Sequence, residues 1–267
     1  MNEGTARSQS GSGEKPHFAR PGFSNIAPYM LVEGAAEFID FLKAAFGAEE
    51  RIRVPMATGS IMHAELGLRN SVIELGDAND AHPARRMAIH LYVDDADATY
   101  QRALRAGATS LAVVADMPWG DRQGRVRDKF GNRWYIGMPK GWDPGPEGIR
   151  SVQPFLHLRD AHKFIPFAEA AFGAEALGVA LSDEGKVLHA TIKIGTGTLE
   201  IDEASEESAP SPGYLHFYVP DVDAVYASAM KAEATSMEAP NDKPYGERSA
   251  GIRDAFGNVW WAATYLG

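Results

Sequence analysis

Ala44-Ala45-Phe46-Gly47-Ala48-Glu49 returns later in the chain as Ala170-Ala171-Phe172-Gly173-Ala174-Glu175, an offset of 126 residues (172 − 46). The same offset carries His63 to His189, Glu74 to Glu200, His90 to His216, Gly120 to Gly246 and Arg122 to Arg248. It also carries Asp128, Phe130, Gly131, Asn132 and Trp134 onto Asp254, Phe256, Gly257, Asn258 and Trp260. Self-similarity at one fixed period means two copies of one structural unit. Between the copies, Pro139-Lys140-Gly141-Trp142-Asp143-Pro144-Gly145-Pro146 has the composition of a linker. The expected division is a tail over 1–23, a first unit over 24–138, a linker over 139–150 and a second unit over 151–267.

Each unit carries a shorter pattern twice. Residues 27–32 read as a strand. From Glu37 to Phe46, Phe38, Phe41, Leu42, Ala45 and Phe46 fall at helical spacing, and Gly47 supplies the stop. Short strands follow near 50–56, 60–68 and 71–76. A strand over 88–93 then leads to a helix from Asp95, a good N-cap, to Gly107. Three more strands follow near 110–115, 123–128 and 133–137. Asp128-Lys129-Phe130-Gly131-Asn132 suits a tight hairpin with Gly131 at positive φ. The unit is βαβββ–βαβββ, so the fold class is α+β with four βαβββ modules. In the second unit Pro166 sits inside the first helical run, which predicts that this helix starts late or kinks there.

The module order, together with Pro28-Tyr29-Met30-Leu31-Val32, Phe41-Leu42-Lys43-Ala44-Ala45-Phe46-Gly47, Ile61-Met62-His63-Ala64-Glu65-Leu66 and Trp119-Gly120-Asp121-Arg122 through Asp128-Lys129-Phe130-Gly131-Asn132-Arg133-Trp134, resembles the glyoxalase/bleomycin-resistance/extradiol-dioxygenase (vicinal oxygen chelate) superfamily, and within it the PhnB-like branch. The resemblance implies two tandem domains. In each, two βαβββ modules form a cup-shaped mixed sheet with helices outside and a pocket inside. It fixes the fold and not the activity, because that superfamily hosts isomerases, lyases, dioxygenases, thiol transferases and drug-sequestering binders.

Metal-using members of that superfamily place one ligand on the first and last strand of each module. By that resemblance the positions fall on Ala27, Glu74, Ala88 and Tyr135 in the first unit, and on Gln153, Glu200, Tyr214 and Trp261 in the second. Hard divalent cations want several oxygen or nitrogen donors, and alanine and tryptophan supply none. The expectation is therefore no stoichiometric metal and no cofactor. Histidines stand close by. Strand alternation puts His90 and His216 on the face of the neighbouring ligand positions, and turns His63, Glu65, His157 and His189 inward. Tyr135 and Trp261 are expected in the cup, with Phe155 and Tyr218 beside Trp261, whereas Trp134 and Trp260 should pack under the helices. Aromatic rings in a cup bury a flat or apolar ligand well, or else simply fill it. The expected ligand-binding set is Glu74, His63, His90, Tyr135, Phe155, His189, Glu200, His216, Tyr218 and Trp261. The bland reading of the histidines is a hydrogen-bonded lining. The sharper one is a displaced metal site or a general base, such as His63–Glu74–His90, with Glu200, His216 and His189 as the other metal set. These define a metal-free binder of a small, partly aromatic or apolar molecule, a metal-dependent lyase, isomerase or dioxygenase, and a structural or regulatory protein with empty cups. Arg122 and Arg248 read as solvated loop arginines or, less simply, anion clamps.

Composition narrows the field further. The 267 residues include no cysteine, which removes disulfides, thiolate metal sites and cysteine nucleophiles. A formal charge of −10 makes a poor partner for nucleic acid. No apolar run approaches the ~20 residues of a membrane span. The Gly/Ser-rich tail lacks the apolar stretch of a secretory signal and reads as disordered, so the cytoplasm is the expected location. The expected partner is a small molecule, and a homodimer is compatible with this class of fold.

Overall fold

A computed structural model describes residues 18–20, 22–23, 25–139 and 150–267. Most of the expected tail (1–23) and nearly all of the expected linker (139–150) lie outside the described residues. Four βαβββ modules follow in order. The first comprises β1 (Ile26–Val32), α1 (Ala35–Phe46), β2 (Glu49–Pro55), β3 (Ile61–Leu68) and β4 (Ser71–Asp77). The second comprises β5 (Ala88–Tyr92), α2 (Ala96–Arg105), β6 (Thr109–Asp116), β7 (Arg122–Arg127) and β8 (Arg133–Met138). The third comprises β9 (Val152–Leu158), α3 (Ala161–Phe172), β10 (Glu175–Leu181), β11 (Val187–Ile194) and β12 (Gly197–Glu203). The fourth comprises β13 (Tyr214–Tyr218), α4 (Val222–Lys231), β14 (Thr235–Lys243), β15 (Glu247–Arg253) and β16 (Val259–Tyr265).

The sheets are not built within the sequence units. One eight-stranded sheet has the order β14-β15-β16-β13-β1-β4-β3-β2, and the other β10-β11-β12-β9-β5-β8-β7-β6. Modules one and four share the first sheet (the outer cup), and modules two and three share the second (the inner cup). The seams are antiparallel: Ile26, Ala27 and Pro28 of β1 oppose Phe217, His216 and Leu215 of β13. Ala88, Ile89, His90 and Leu91 of β5 oppose Phe155, Pro154, Gln153 and Val152 of β9. The expectation of one cup within each of 24–138 and 151–267 is thereby corrected. Local pattern defines a module but leaves open which module lies beside it.

The elements form for the reasons their sequences give. Gly47 closes α1 in the left-handed conformation, φ 73°, with its N–H on the Lys43 and Leu42 carbonyls. The Asp95 side chain accepts from Ala98 N at 2.8 Å and caps α2. Helix α3 departs from expectation. It begins at Ala161, the equivalent of Ala35, and runs through Pro166 to Phe172 without a late start. Proline there forfeits one backbone bond to a carbonyl on an exposed turn, and the burial of Phe164, Ala168, Ala171 and Phe172 holds the segment helical.

The repeated Asp-x-Phe-Gly-Asn-x-Trp segment turns out to be a buried hub. Oδ1 of Asp128 accepts from Phe130 N and Asn132 N, and Oδ2 from Asn132 Nδ2 and Trp134 Nε1. Oδ1 of Asn132 then accepts from Met87 N, at the entry to β5. Asp254, Asn258 and Trp260 repeat these contacts, with Gly213 N in the place of Met87 N. Each hub ties a hairpin to the start of a seam strand. Trp134 and Trp260 are fully buried, 4.6 Å from Phe46 and 4.7 Å from Phe172 by ring centroid, as the alternation of their strands predicted.

Two outcomes are expected. Trp260→Ala should cost about 3–5 kcal/mol in urea unfolding, the usual range for a buried large aromatic, and Trp261→Ala distinctly less. Residues 24–138 expressed alone leave β1 and β5 without their seam partners, so sedimentation should show a dimer that exchanges modules between copies. A folded monomer would mean that a cup closes within one unit.

Candidate functional site

The crossed seams sort the ten expected site residues into two sets. Glu74, His63, His216, Tyr218 and Trp261 belong to the outer cup. His90, Tyr135, Phe155, His189 and Glu200 belong to the inner cup. Three expectations change accordingly. Phe155 lies beside Tyr135, ring centroids 5.0 Å apart, and not beside Trp261. The grouping His63–Glu74–His90 is split, because His90 pairs with Glu200. The metal alternative Glu200–His216–His189 is split as well, because Nδ1 of His216 lies 2.8 Å from Glu74 Oε1 in the other sheet.

In the inner cup, β12 presents Glu200, which is 2% exposed. It accepts from His90 Nδ1 at 2.8 Å and from Tyr92 Oη at 3.0 Å, with His189 Nε2 at 3.4 Å. With Nδ1 donating, Nε2 of His90 accepts from Gln123 Nε2 at 3.3 Å. Gly137 makes room for that ring, since a Cβ there would sit 2.7 Å from His90 Nε2. Burial opposes the charge on Glu200, but His90 and His189 outweigh it and hold the carboxyl well below its usual range. The hydrogen bond to Glu200 in turn raises His189, whose side chain stays 45% exposed.

A second chain of bonds runs beside the first. Nδ1 of His157 donates to Asp202 Oδ1 at 2.6 Å, and Nε2 accepts from Tyr135 Oη at 3.2 Å. The Phe155 ring lies between the two sets, 4.7 Å from the ring of His157 and 5.9 Å from that of His189. Ala88, Tyr135 and Phe155 form a buried apolar cluster of their own, separate from the main core under the helices. Gln153, on the same strand face, is buried with no partner for its Oε1 among the described residues.

The outer cup has different chemistry. His216 donates from Nδ1 to Glu74, and its Nε2 lies 3.7 Å from Glu247 Oε2. Burial disfavours the imidazolium, yet Glu74 and Glu247 outweigh it and raise His216. Tyr218 Oη donates to Glu247 at 2.5 Å. His63 reaches Glu65 at 3.2 Å through Nε2 and Tyr29 Oη at 3.3 Å through Nδ1. Arg20, inside the expected tail, enters this network and was missed from sequence. Its Nη2 lies 2.6 Å from Glu65 and its Nε 3.0 Å from Glu247. Tyr29, Tyr214 and His82 form an aromatic wall, with Trp261 6.3 Å from His82.

Regrouped by cup, the superfamily's four ligand positions become Ala27, Glu74, Tyr214 and Trp261 in one, and Gln153, Glu200, Ala88 and Tyr135 in the other. Each cup supplies one carboxylate there, already engaged by imidazole, and only the inner adds an amide. That donor set does not fit a catalytic divalent ion, which keeps three or four protein donors. Among the described residues no group of three His, Asp or Glu side chains is disposed to hold a metal. Arg122 is not an anion clamp, for it pairs with Asp97 and Asp116, as Arg248 does with Asp223 and Asp242. A surface cavity of about 660 Å³ lies by the β10–β11 turn, lined by Ser182, Lys186, Leu188 and Glu203 among others and by none of the predicted site residues. No helix among the described residues is long and apolar enough to cross a membrane.

Residues 22–136 and 153–262 each match the family model for the Glyoxalase/Bleomycin resistance protein/Dioxygenase superfamily. Among solved structures, glyoxalase I from Zea mays is similar, with a TM-score of 0.70 at 16% identity, covering 90% of this chain and 92% of that one. Uncharacterized proteins of Mycobacterium bovis and Mycobacterium tuberculosis are 39% identical over 125 residues, 43% of this chain, and cover 82% and 74% of those proteins.

The raised His216 sets a pH dependence. A folded-state value above the unfolded one, near 6.5, gives stability that is full below about pH 6.5 and fades as pH rises through the folded value. The stability difference between the protein and His216→Gln should be larger at pH 5.5 than at pH 9, as measured by urea unfolding. An equal difference at both would show that His216 gains no proton beside Glu74 on folding.

Proposed function

Because the chain belongs to the Glyoxalase/Bleomycin resistance/Dioxygenase superfamily, we propose that it binds a small, partly aromatic or apolar molecule in the inner cup without a metal. The observation that carries this reading is the Ala88–Tyr135–Phe155 cluster, an apolar surface on the concave face that adds nothing to the main core. A ring laid on Tyr135 and Phe155 would meet His189 and Glu200 at one edge and His157 at the other. The unpartnered Gln153 Oε1 supplies an acceptor for a ligand hydroxyl or amide, since a buried acceptor gains most when a donor reaches it. The same reading keeps the protein within the PhnB-like branch, on the strength of its Trp119–Trp134 segment.

A second reading rests on Asp202–His157–Tyr135. The carboxylate orients the imidazole so that Nε2 faces the phenol, an arrangement that can take a proton from Tyr135 as it attacks or deprotonates a bound molecule. Both readings share the pocket and part on turnover. The metal-dependent alternative lacks donors, and no step is drawn through a metal.

Thermal-shift screening of aromatic fragments should find compounds that stabilise the protein. Their shift should vanish in Phe155→Ala and Tyr135→Ala and persist in Tyr29→Ala, which alters the outer cup. Fragments that act equally on all four proteins would overturn the site. Elemental analysis of untagged protein should show well under one Fe, Zn, Ni or Mn per chain; about one per cup, lost with His90→Ala or His216→Ala, would overturn the metal-free reading.

A further inference from the structure

The outer cup holds three buried carboxyl groups, Glu65, Glu74 and Glu247, exposed to 3%, 1% and 2%. In the inner cup Glu200 is buried while Asp121 and Asp202 stay partly exposed, and the repeat places Thr191 at the position of Glu65. A guanidinium sits on these carboxyls. Arg20 reaches Glu65 at 2.6 Å and Glu247 at 3.0 Å, lies 3.9 Å from Glu74, and donates from Nε to Tyr218 Oη at 2.7 Å. Its Cζ lies 4.6 Å from the centre of the Phe23 ring, and that ring stands edge-on to Tyr218 at 5.5 Å. This is the contact set of guanidinium recognition: charge-assisted bonds on one side and an aromatic face on the other.

The two partners are held very differently. Every carboxyl stands on a paired strand of the sheet, namely β3, β4 and β15. Arg20 belongs to no strand or helix and lies outside the repeat. Among the described residues its segment adds two backbone bonds, Tyr265 N to Phe18 O at 2.9 Å and Phe23 N to Arg20 O at 3.1 Å. The Arg20 side chain is 24% exposed, so the site is open from that direction. Without Arg20 the three carboxyls would face only the imidazoles of His216 and His63, and buried charge short of partners is costly. An acidic socket built on paired strands, with its cation supplied from outside the sheet, suits the exchange of one cation for another.

We propose that the outer cup is a recognition site for a guanidinium or alkylammonium compound, and that Arg20 occupies it as a tethered stand-in which the ligand displaces. The Tyr29–Tyr214 wall receives the body of that ligand. This site is independent of the inner-cup reading, and either stands if the other fails. A tethered competitor acts at an effective concentration of about millimolar for a short linker, so removing it tightens the apparent affinity of the free ligand.

Agmatine titrated calorimetrically into the full chain and into Arg20→Ala tests this. The expected result is agmatine binding to Arg20→Ala at least tenfold tighter than to the unaltered protein, and abolished by adding Glu65→Gln. Sodium chloride at matched ionic strength controls for screening. Arg20→Gln, which keeps length and a hydrogen-bonding amide, serves if the alanine variant does not fold. No binding to a folded Arg20 variant overturns the proposal. So does failure of both variants to fold even with 10 mM guanidinium chloride present, for Arg20 would then be a fixed structural counter-ion.

Discussion

Seven residue pairs at the two seams, three between β1 and β13 and four between β5 and β9, decide what the rest of the molecule can do. They are antiparallel, and each joins a module of the first unit to a module of the second. Both His–Glu pairs cross them. His216 on β13 meets Glu74 on β4, and His90 on β5 meets Glu200 on β12. Neither cup exists in one unit alone. The seams are also contacts of high sequence separation, whose loop-closure entropy must be met before they stabilise anything. The buried Asp128 and Asp254 hubs anchor the entries to β5 and β13 through Met87 N and Gly213 N.

One scaffold has been filled with two chemistries. The frame repeats closely: Asp128 and Asp254, Trp134 and Trp260, Gly131 and Gly257 do the same work in both copies. The linings do not. At the position of Glu65 the second unit has Thr191, and Tyr92 donates to Glu200 where its equivalent Tyr218 donates to Glu247. The outer cup has thereby become acidic and hydrogen-bonded around a guanidinium. The inner cup has kept an apolar cluster bordered by two imidazole relays. Divergence falls on the concave faces because the helix-facing side is constrained by close packing and the concave side is not.

The sequence exposed whatever depends on local period. Strand alternation placed Trp134 and Trp260 under the helices, and turned Tyr135, His157, Glu65 and the paired histidines inward. It could not choose the neighbouring module. Ala88-Ile89-His90-Leu91-Tyr92 and Tyr214-Leu215-His216-Phe217-Tyr218 carry the same histidine and tyrosine at the same register. Either strand therefore satisfies the pattern that β1 requires, and the expectation of Phe155 beside Trp261, where the structure has Tyr135, followed from that ambiguity. Pro166 misled for a related reason: propensity is a local cost, and five buried side chains on α3 outweigh one lost bond. Arg20 was hidden by the Gly/Ser/Pro composition around it. The available signal was Phe18-Ala19-Arg20-Pro21-Gly22-Phe23, a cation between two aromatic residues that a solvated tail does not need.

The buried glutamates connect the fold to its chemistry. A carboxylate at the last strand of a module, nearly sealed from water, is tenable only beside positive charge. In the superfamily's metal-using members, by the resemblance, a divalent ion fills that need. Here His216 meets Glu74, and His90 with His189 meets Glu200. Glu65 and Glu247, acids beyond the one per cup that the superfamily pattern provides, are met by Arg20. Imidazole and guanidinium side chains thus stand where the family pattern has a metal, and the positions that would have completed a coordination sphere are free to be Ala27, Ala88, Tyr135 and Trp261. An imidazole or guanidinium needs fewer ligands than a divalent ion and fixes no coordination geometry. That relaxes the four ligand positions and lets aromatic side chains take them.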